Sequence, residues 1–240
     1  MKLQQLLSYT RKAVDDYQMI QEEDHIAIGI SGGKDSLALL YALHGLQRFY
    51  PRRFTFEAIT VDLGHKNFRT ERIRELCGQL GVSYTVVPTN IAQIIFEERA
   101  ESNPCSLCAK MRKGALNETA KQHGCNKIAY AHHKDDLVET LLMSLFFEGR
   151  LHTFSPVTYL DRMDLTVIRP LMYVPEKDVI GFQRAQNLPV EKSLCAVDGH
   201  TKREEIKVLL RQLNQDYPGI RERIFTAIRN GDLHGWPPLR

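Results

Sequence analysis

A short stretch near the N-terminus, residues 26–36, most constrains how this chain can fold. It reads IAIGISGGKDS, an apolar run followed by a Gly-Gly turn, after which Leu37, Leu40 and Leu43 recur at helical spacing. The apolar run is typical of a buried parallel strand. A strand, a glycine turn and a helix in immediate succession leave backbone N–H groups unpaired at the helix N-terminus, where an anion can bind. The stretch therefore predicts a phosphate-binding loop.

The side chains of this loop favour the same interpretation. Ser31 and Ser36 offer hydroxyl donors and Lys34 a positive charge, while the two glycines let a phosphate approach the backbone without a clash. The loop is not a Walker A motif, because Lys34 is followed by Asp35 instead of Ser or Thr. It is not a dinucleotide-binding fingerprint either, because its glycines have the wrong spacing.

Alternating strand and helix patterns follow along the chain. Strands are predicted over 26–30, 54–61, 82–87 and 128–131, and helices over 1–21, 37–48 and 70–80. This alternation predicts an α/β fold with a doubly wound, mostly parallel sheet. Ligands bind such sheets beyond the carboxyl ends of the strands. Ser31, Asp62 and His132 each follow a strand, so we expect them to open onto one crevice.

A second motif, AHHKDDLVET, covers residues 131–140. A strand ends there, and imidazole, ammonium and two carboxylates crowd the start of a helix. Asp135 and Asp136 could bind the Mg²⁺ that accompanies ATP phosphates, since this cation prefers carboxylate oxygens. They could also do no more than cap the helix. The spacing leaves both interpretations open.

The five cysteines indicate metal or redox chemistry rather than a disulfide framework. Cys105 and Cys108 form a C-x-x-C pair in the first turn of a predicted helix, where a redox pair, half of a zinc site and part of an iron–sulfur site are all possible. Cys77 and Cys125 are expected to be buried structural residues. Cys195 lies in a polar loop before a basic helix start, an unusual place for an inert thiol.

Composition and charge indicate a protein that works in the cytoplasm. No apolar run approaches the ~20 residues that span a bilayer, and the polar N-terminus lacks a signal-peptide profile. Residues 99–134 carry seven Lys or Arg against two Glu. This local excess of positive charge could bind a phosphate backbone or form a solvated helix face.

Taken together and in this order, the motifs resemble the tRNA 2-thiocytidine synthetase (TtcA-type) family of the PP-loop, or N-type ATP pyrophosphatase, superfamily. The resemblance runs from about residue 24 to about residue 210. It rests on SGGKDS at 31–36, CSLC at 105–108, AHHKDDLVET at 131–140, VIRPL at 167–171 with VPEKD at 174–178, and Cys195. It implies an adenine-nucleotide alpha-hydrolase-like PP-loop domain over residues 1–190, with an inserted CxxC helix. Residues 191–240 would be a helical extension that carries the third cysteine and packs on the same domain.

The resemblance also implies an activity and a set of site residues. An ATP-dependent tRNA-cytidine 2-sulfurtransferase would adenylate a tRNA pyrimidine carbonyl, cytidine O2, and replace its oxygen by sulfur. That sulfur would be delivered through a [4Fe-4S] cluster with three cysteine ligands: Cys105, Cys108 and Cys195. The ATP site would comprise Ile30, Ser31, Gly32, Gly33, Lys34, Asp35, Ser36, Asp62, His132 and Asp136. Asp35, Asp135 and Asp136 would bind Mg²⁺, and the catalytic residues would be Asp35, Ser36 and the three cysteines.

The implied partners are tRNA, a sulfur donor such as a cysteine desulfurase, and a second copy of the chain in a homodimer. The expected tRNA contacts are Lys110, Arg112, Lys113, Arg169, Lys202 and Arg203. Two alternatives stay open at this point. One is a PP-loop enzyme that acts on another thiolated base, by thiouridine synthesis or desulfuration. The other is a non-enzymatic nucleotide-binding protein that senses iron or redox state.

Overall fold

A computed structural model of the protein describes residues 1–65, 68–98, 104–191 and 201–231. The remaining residues include Cys195, so the third predicted cysteine ligand lies outside the described residues. In the part of the chain that is described, no helix is both long and apolar enough to cross a membrane.

A six-stranded sheet forms the centre of the fold. Its strands are β1 (Asp24–Gly29), β2 (Phe54–Asp62), β3 (Tyr84–Pro88), β4 (Lys127–Ala129), β5 (Val157–Leu160) and β6 (Leu165–Ile168), in the order β3-β2-β1-β4-β6-β5. Every neighbouring pair is parallel except β5 with β6, which form an antiparallel hairpin at one edge. The predicted doubly wound, mostly parallel sheet is therefore confirmed, whereas the hairpin was not predicted.

Helices cover both faces of this sheet. They are α1 (Leu3–Asp16), α2 (Lys34–Gln47), α3 (Glu71–Leu80), α4 (Ile91–Gln93) with a π-helical turn over Ile94–Glu98, α5 (Pro104–Gln122), α6 (Lys134–Glu148), α7 (Glu176–Ala185), α8 (Lys202–Asp216) and α9 (Ile220–Asn230). The helices predicted over 1–21, 37–48 and 70–80 are thus present, with ends displaced by a few residues.

The two faces of the sheet bury two separate apolar clusters. Along β1, Ile26 and Ile28 point to the larger cluster, which α1, α2, α6 and α7 cover. Ala27 points to the smaller cluster beneath α5. Helix α5 packs very close, because a Cβ at Gly29 would lie 2.8 Å from a methyl carbon of Leu116. Continuous apolar strands are what a sheet covered on both faces requires.

Strand direction decides where the motifs lie. The glycine loop follows β1, Asp62 ends β2, and His132 follows β4, and these three strands are parallel. The three motifs therefore lie at the same, carboxyl edge of the sheet, as predicted. Helix α5 connects β3 to β4 and so must run back from this edge to the amino edge. Its first turn, with Cys105 and Cys108, consequently starts at the carboxyl edge too.

Candidate active site at the carboxyl edge of the sheet

The glycine loop is held in shape by its own hydroxyl groups. The Ser36 hydroxyl donates to the Gly33 carbonyl oxygen at 3.0 Å and accepts from the Ser31 backbone N–H at 3.2 Å. Gly33 is the N-cap residue of α2, so the first N–H groups of this helix face the loop. The loop therefore presents a preformed ring of donors at a positive helix end.

The first glycine of the Gly-Gly turn has a backbone conformation that only glycine adopts without strain. Gly32 has a φ of +80°, and a Cβ there would lie 3.3 Å from the Cβ of Glu191. The Glu191 backbone N–H donates to the Gly32 carbonyl oxygen at 3.0 Å. The backbone at Glu191 therefore lies directly against the loop.

Charged side chains from three elements meet beside the loop. Lys34 Nζ lies 3.1 Å from both Asp35 Oδ2 and Glu176 Oε1. Burial alone would lower the pKa of Lys34, but these two carboxylates outweigh it and raise that pKa. Burial alone would raise the pKa of Glu176, yet Lys207 and Lys34 lower it to about 2. Both groups therefore stay charged at neutral pH.

One oxygen of this cluster has no protein partner. Asp35 Oδ1 is buried and makes no hydrogen bond, and His133 Nε2 lies 3.7 Å from it. A buried carboxylate oxygen without a partner is costly, so such an atom is typical of a position where a ligand or cation binds. A hard cation such as Mg²⁺ fits this oxygen.

His133 joins the second motif to the loop. It is the N-cap residue of α6, where its backbone N–H donates to Asp136 Oδ2 at 2.9 Å and its Nδ1 accepts from the Asp136 N–H at 3.3 Å. Because Nδ1 accepts, the neutral ring carries its proton on Nε2, which faces Asp35. The capping box thus orients a donor toward the loop.

The two aspartates of this motif already have protein partners. Asp135 binds Arg221 at 2.7 Å and accepts from the Glu176 backbone N–H at 2.7 Å. Asp136 caps α6 and lies 3.4 Å from Arg203. Their carboxylates hold α7, α8 and α9 against the start of α6. The capping interpretation fits this geometry, and a magnesium role would require these partners to move.

His132 contacts Arg169 and Phe154. Its Nδ1 accepts from Arg169 Nε at 3.2 Å, and its ring stacks on Phe154 with centroids 4.1 Å apart. Burial, and then Arg169, lower the pKa of His132 to about 3, so the ring is neutral at physiological pH. Arg169 itself is 7% exposed, and its guanidinium also binds the Ser155 carbonyl oxygen. Arg169 was expected to contact tRNA, but its side chain lies in the interior of the protein.

The remaining site residues lie at more exposed positions. Cys105 is exposed and Cys108 half-buried, one turn apart on α5. Lys110, Arg112 and Lys113 continue the exposed side of this helix. Lys202 is exposed and pairs with Glu205, while Ile30 is buried below the loop. Asp62 accepts from the Gly64 N–H at 2.9 Å, an interaction that shapes the turn after β2.

Two carboxylates of the site had no predicted role. Glu176 follows Pro175 in the first turn of α7, where an acidic residue is commonly found because it stabilises the positive end of the helix. Glu139 lies within the second motif and is fully buried; one of its oxygens is 3.2 Å from Arg203, and the other has no partner. No local pattern reveals either contact, because the partners are tens of residues away in sequence.

A protein family and several curated proteins match most of this chain. Residues 3–213 match the family described as PP-loop domain. The tRNA-cytidine(32) 2-sulfurtransferase of Citrifermentans bemidjiense is 40% identical over 222 residues, which are 91% of this chain and 87% of that protein. The protein of the same name from Pelobacter propionicus is 41% identical, over 91% of this chain and 82% of its own length.

Solved structures share the fold. The U34-tRNA thiolase NcsA from Methanococcus maripaludis, solved with its [4Fe-4S] cluster, superposes with a TM-score of 0.74 at 24% identity, covering 92% of this chain and 76% of that one. The NAD+ synthetase from Burkholderia pseudomallei gives a TM-score of 0.54 at 15% identity, covering 95% and 89%. At these identities the likeness concerns the fold alone.

Proposed function

This chain belongs to the PP-loop domain family, among the tRNA-cytidine(32) 2-sulfurtransferases, and we propose on that premise that it thiolates tRNA cytidine at the expense of ATP. It would adenylate O2 of the base with release of pyrophosphate, and sulfide would then displace AMP, which leaves with that oxygen. One observation carries the proposal. The phosphate loop after β1 and the C-x-x-C turn of α5 lie at the same edge of one parallel sheet.

The phosphates of ATP would bind at the start of α2. The N–H groups of residues 32–36 and the Ser31 and Ser36 hydroxyls would surround the β- and γ-phosphate oxygens. Lys34, now held between Asp35 and Glu176, would turn toward the leaving pyrophosphate. Donors that are fixed before the reaction stabilise the charge that develops on this leaving group. The roles of Ile30, Asp62, His132 and Asp136 in ATP binding are part of this proposal.

The residues present fit Mg²⁺ at one position. Asp35 offers a buried oxygen without a partner, whereas Asp135 and Asp136 already bind arginines and backbone N–H groups. Asp35 would therefore be the first protein ligand, with water and phosphate oxygens completing the shell. Bound there, the ion neutralises charge on the phosphates.

The C-x-x-C turn fits an iron–sulfur cluster. Cys105 is exposed and Cys108 lies half-buried one helical turn away, so both thiols can reach the same metal group. Cys195 would be the third ligand. The cluster, when bound, would carry the sulfide that the sulfur donor provides. The protein would hold the activated base beside it, with Lys110, Arg112 and Lys113 of α5 contacting tRNA phosphates.

Several expectations complete this proposal. Lys202 and Arg203 would extend the tRNA-binding surface, although Arg203 is also paired with Asp136 and Glu139. Arg169 would act from inside the site, through His132. From the resemblance we also propose a cytoplasmic location, a cysteine desulfurase as the sulfur donor, and a homodimer. Residues 191–240 would be an extension that packs on the domain formed by residues 1–190.

Release of pyrophosphate tests the ATP half of the proposal. We expect wild-type protein to form AMP and pyrophosphate from ATP and Mg²⁺ in a tRNA-stimulated reaction. Asp35→Ala should lower this rate at least about 100-fold, because it removes the partnerless oxygen at the phosphate site. Asp164→Ala, an exposed change in the β5–β6 turn, is the matched control. Unchanged turnover in Asp35→Ala would remove the loop from the mechanism.

A further inference from the structure

We propose that His25, Glu57 and Cys125 bind a Zn²⁺ ion at the amino edge of the sheet, with His123 positioning the Glu57 carboxylate. One ligand-type atom from each of the three residues lies within 4.8 Å of the other two. The site is separate from the proposed ATP and cluster sites, which lie at the opposite edge. It goes beyond the proposed function and does not depend on it.

Strand register and a helix end bring these side chains together. In β1 and β2, Ala27 pairs with Glu57, so His25 and Glu57 are diagonal neighbours on the face beneath α5. Helix α5 ends at Gln122, and Gly124 follows with a φ of +76°. The Cys125 N–H donates back to the Ala120 carbonyl oxygen at 2.9 Å. This glycine turn folds Cys125 under the helix end, toward β1 and β2.

The distances suit a small metal ion. Cys125 Sγ lies 3.2 Å from Glu57 Oε1. Ligands at about 2.0 to 2.3 Å from a tetrahedral zinc are themselves about 3.3 to 3.7 Å apart. The three donor atoms therefore need to move by no more than about 1 Å to close around the ion. A water molecule would take the fourth position.

His123 makes hydrogen bonds to the Glu57 carboxylate from a partly exposed position. Its Nδ1 lies 3.0 Å and 2.9 Å from the two Glu57 oxygens, and its side chain is 36% exposed. A carboxylate that binds a metal is usually held by a further hydrogen bond of this kind. His123 would therefore donate from Nδ1 and keep Glu57 aimed at the ion.

The charge balance of this cluster favours a cation. The Glu57 side chain is 7% exposed, and in the described ranges of the chain no lysine or arginine pairs with it. The groups that face it are His25, His123 and Cys125. The nearby Lys127 is not available, because its Nζ binds Asp24 at 2.7 Å and the Met19 carbonyl oxygen. A buried carboxylate without a strong cationic partner is stabilised by a metal ion.

The donor set selects the metal. One imidazole nitrogen, one thiolate and one carboxylate oxygen form a mixed set that suits Zn²⁺ better than Mg²⁺ or Ca²⁺. Zinc binds a thiolate, so binding at Cys125 would release the thiol proton to solvent, and the affinity for zinc should increase with pH.

Cobalt spectroscopy isolates this site from the other thiols. The full chain with Cys105, Cys108 and Cys195 all changed to Ser retains only Cys77 and Cys125. Addition of Co²⁺ to this protein should give one thiolate-to-cobalt charge-transfer band per chain, displaced by one equivalent of Zn²⁺. The further change Cys125→Ser should abolish the band, whereas Cys77→Ala should leave it intact.

Histidine variants distinguish the loss of a zinc ligand from the loss of the fold. His25→Ala should weaken Zn²⁺ binding at least about 100-fold in a chelator competition and His123→Ala about 10- to 100-fold, with unchanged circular dichroism. His152→Ala, an exposed position on the far side of the fold, should change nothing. Absence of the cobalt band at pH 8, or equal zinc affinity in the His25→Ala and His152→Ala variants, would show that the cluster is only a hydrogen-bond network.

Discussion

Glu139 gives the sharpest stability prediction, because it is fully buried with one oxygen bound by Arg203 and the other without a partner. Burial raises the pKa of this carboxyl from 4.5 to about 7, although Lys207 and Arg203 act in the opposite direction. In the unfolded chain the group loses its proton near 4.5. The folded protein therefore binds the extra proton between these two values, and its stability falls as the pH rises through that window.

The size of the effect follows from the difference between 4.5 and about 7. At ~1.36 kcal/mol per pH unit, the ionised carboxylate destabilises the folded protein by about 3 kcal/mol. Most of this, about 2 to 3 kcal/mol, develops between pH 5 and pH 8. Glu139→Gln keeps the shape of the side chain and cannot ionise. The free energy of unfolding of this variant, minus that of the wild type, should therefore rise by about 2 to 3 kcal/mol over the same range.

Urea denaturation at pH 5, 6, 7 and 8 measures this difference. Glu118→Gln is the matched control, because Glu118 is exposed on α5 and its side chain accepts a hydrogen bond from the neutral Gln122. Its difference from the wild type should stay constant with pH. If Glu139→Gln and the wild type lose stability in parallel from pH 5 to pH 8, then Glu139 is not a buried, proton-binding carboxyl and the reasoning fails.

Three further substitutions test other parts of the molecule. Gly32→Ala forces a side chain into a left-handed conformation with a Cβ 3.3 Å from Glu191, so it should cost about 1 to 2 kcal/mol and weaken stabilisation by ATP in thermal unfolding. Gly114→Ala, in open space on α5, should raise the melting temperature through a gain of about 0.5 to 1 kcal/mol; a lower melting temperature would contradict this. Cys105→Ser should lose iron and acid-labile sulfide after anaerobic purification, whereas Cys77→Ala, a change in the buried core, should retain both.

Much of the fold could be predicted because its signals are local. The apolar run before Gly32 and the leucines after it are contiguous in sequence, and the structure turns them into β1 and α2. Cys77, at an apolar position of a helix, and Cys125, in a turn before a strand, are both buried, as predicted. The β5–β6 hairpin escaped prediction because each strand has four residues and β5, at the sheet edge, is only partly buried. Such a strand lacks the strong apolar run that marks the central ones.

The candidate site could be predicted only in part, because its contacts are long-range. Arg203 reaches Glu139 across 64 positions, and His133 reaches Asp35 across nearly a hundred. Arg169 was predicted to contact tRNA together with five other lysines and arginines, yet its guanidinium is buried and donates to His132. A sequence pattern shows that a charge is present, but not whether the side chain is buried. The division of the chain at residue 190 stays a prediction.

Nucleoside analysis of tRNA tests the central claim most directly. The purified protein, reconstituted with iron and sulfide without air, would be incubated with ATP, Mg²⁺, a sulfide source and tRNA that lacks thiolated cytidine. The account predicts that mass spectrometry detects 2-thiocytidine, that omission of ATP abolishes it, and that the Asp35→Ala and Cys105→Ser proteins do not form it. Formation of 2-thiouridine in its place, or of 2-thiocytidine without ATP, would contradict the account.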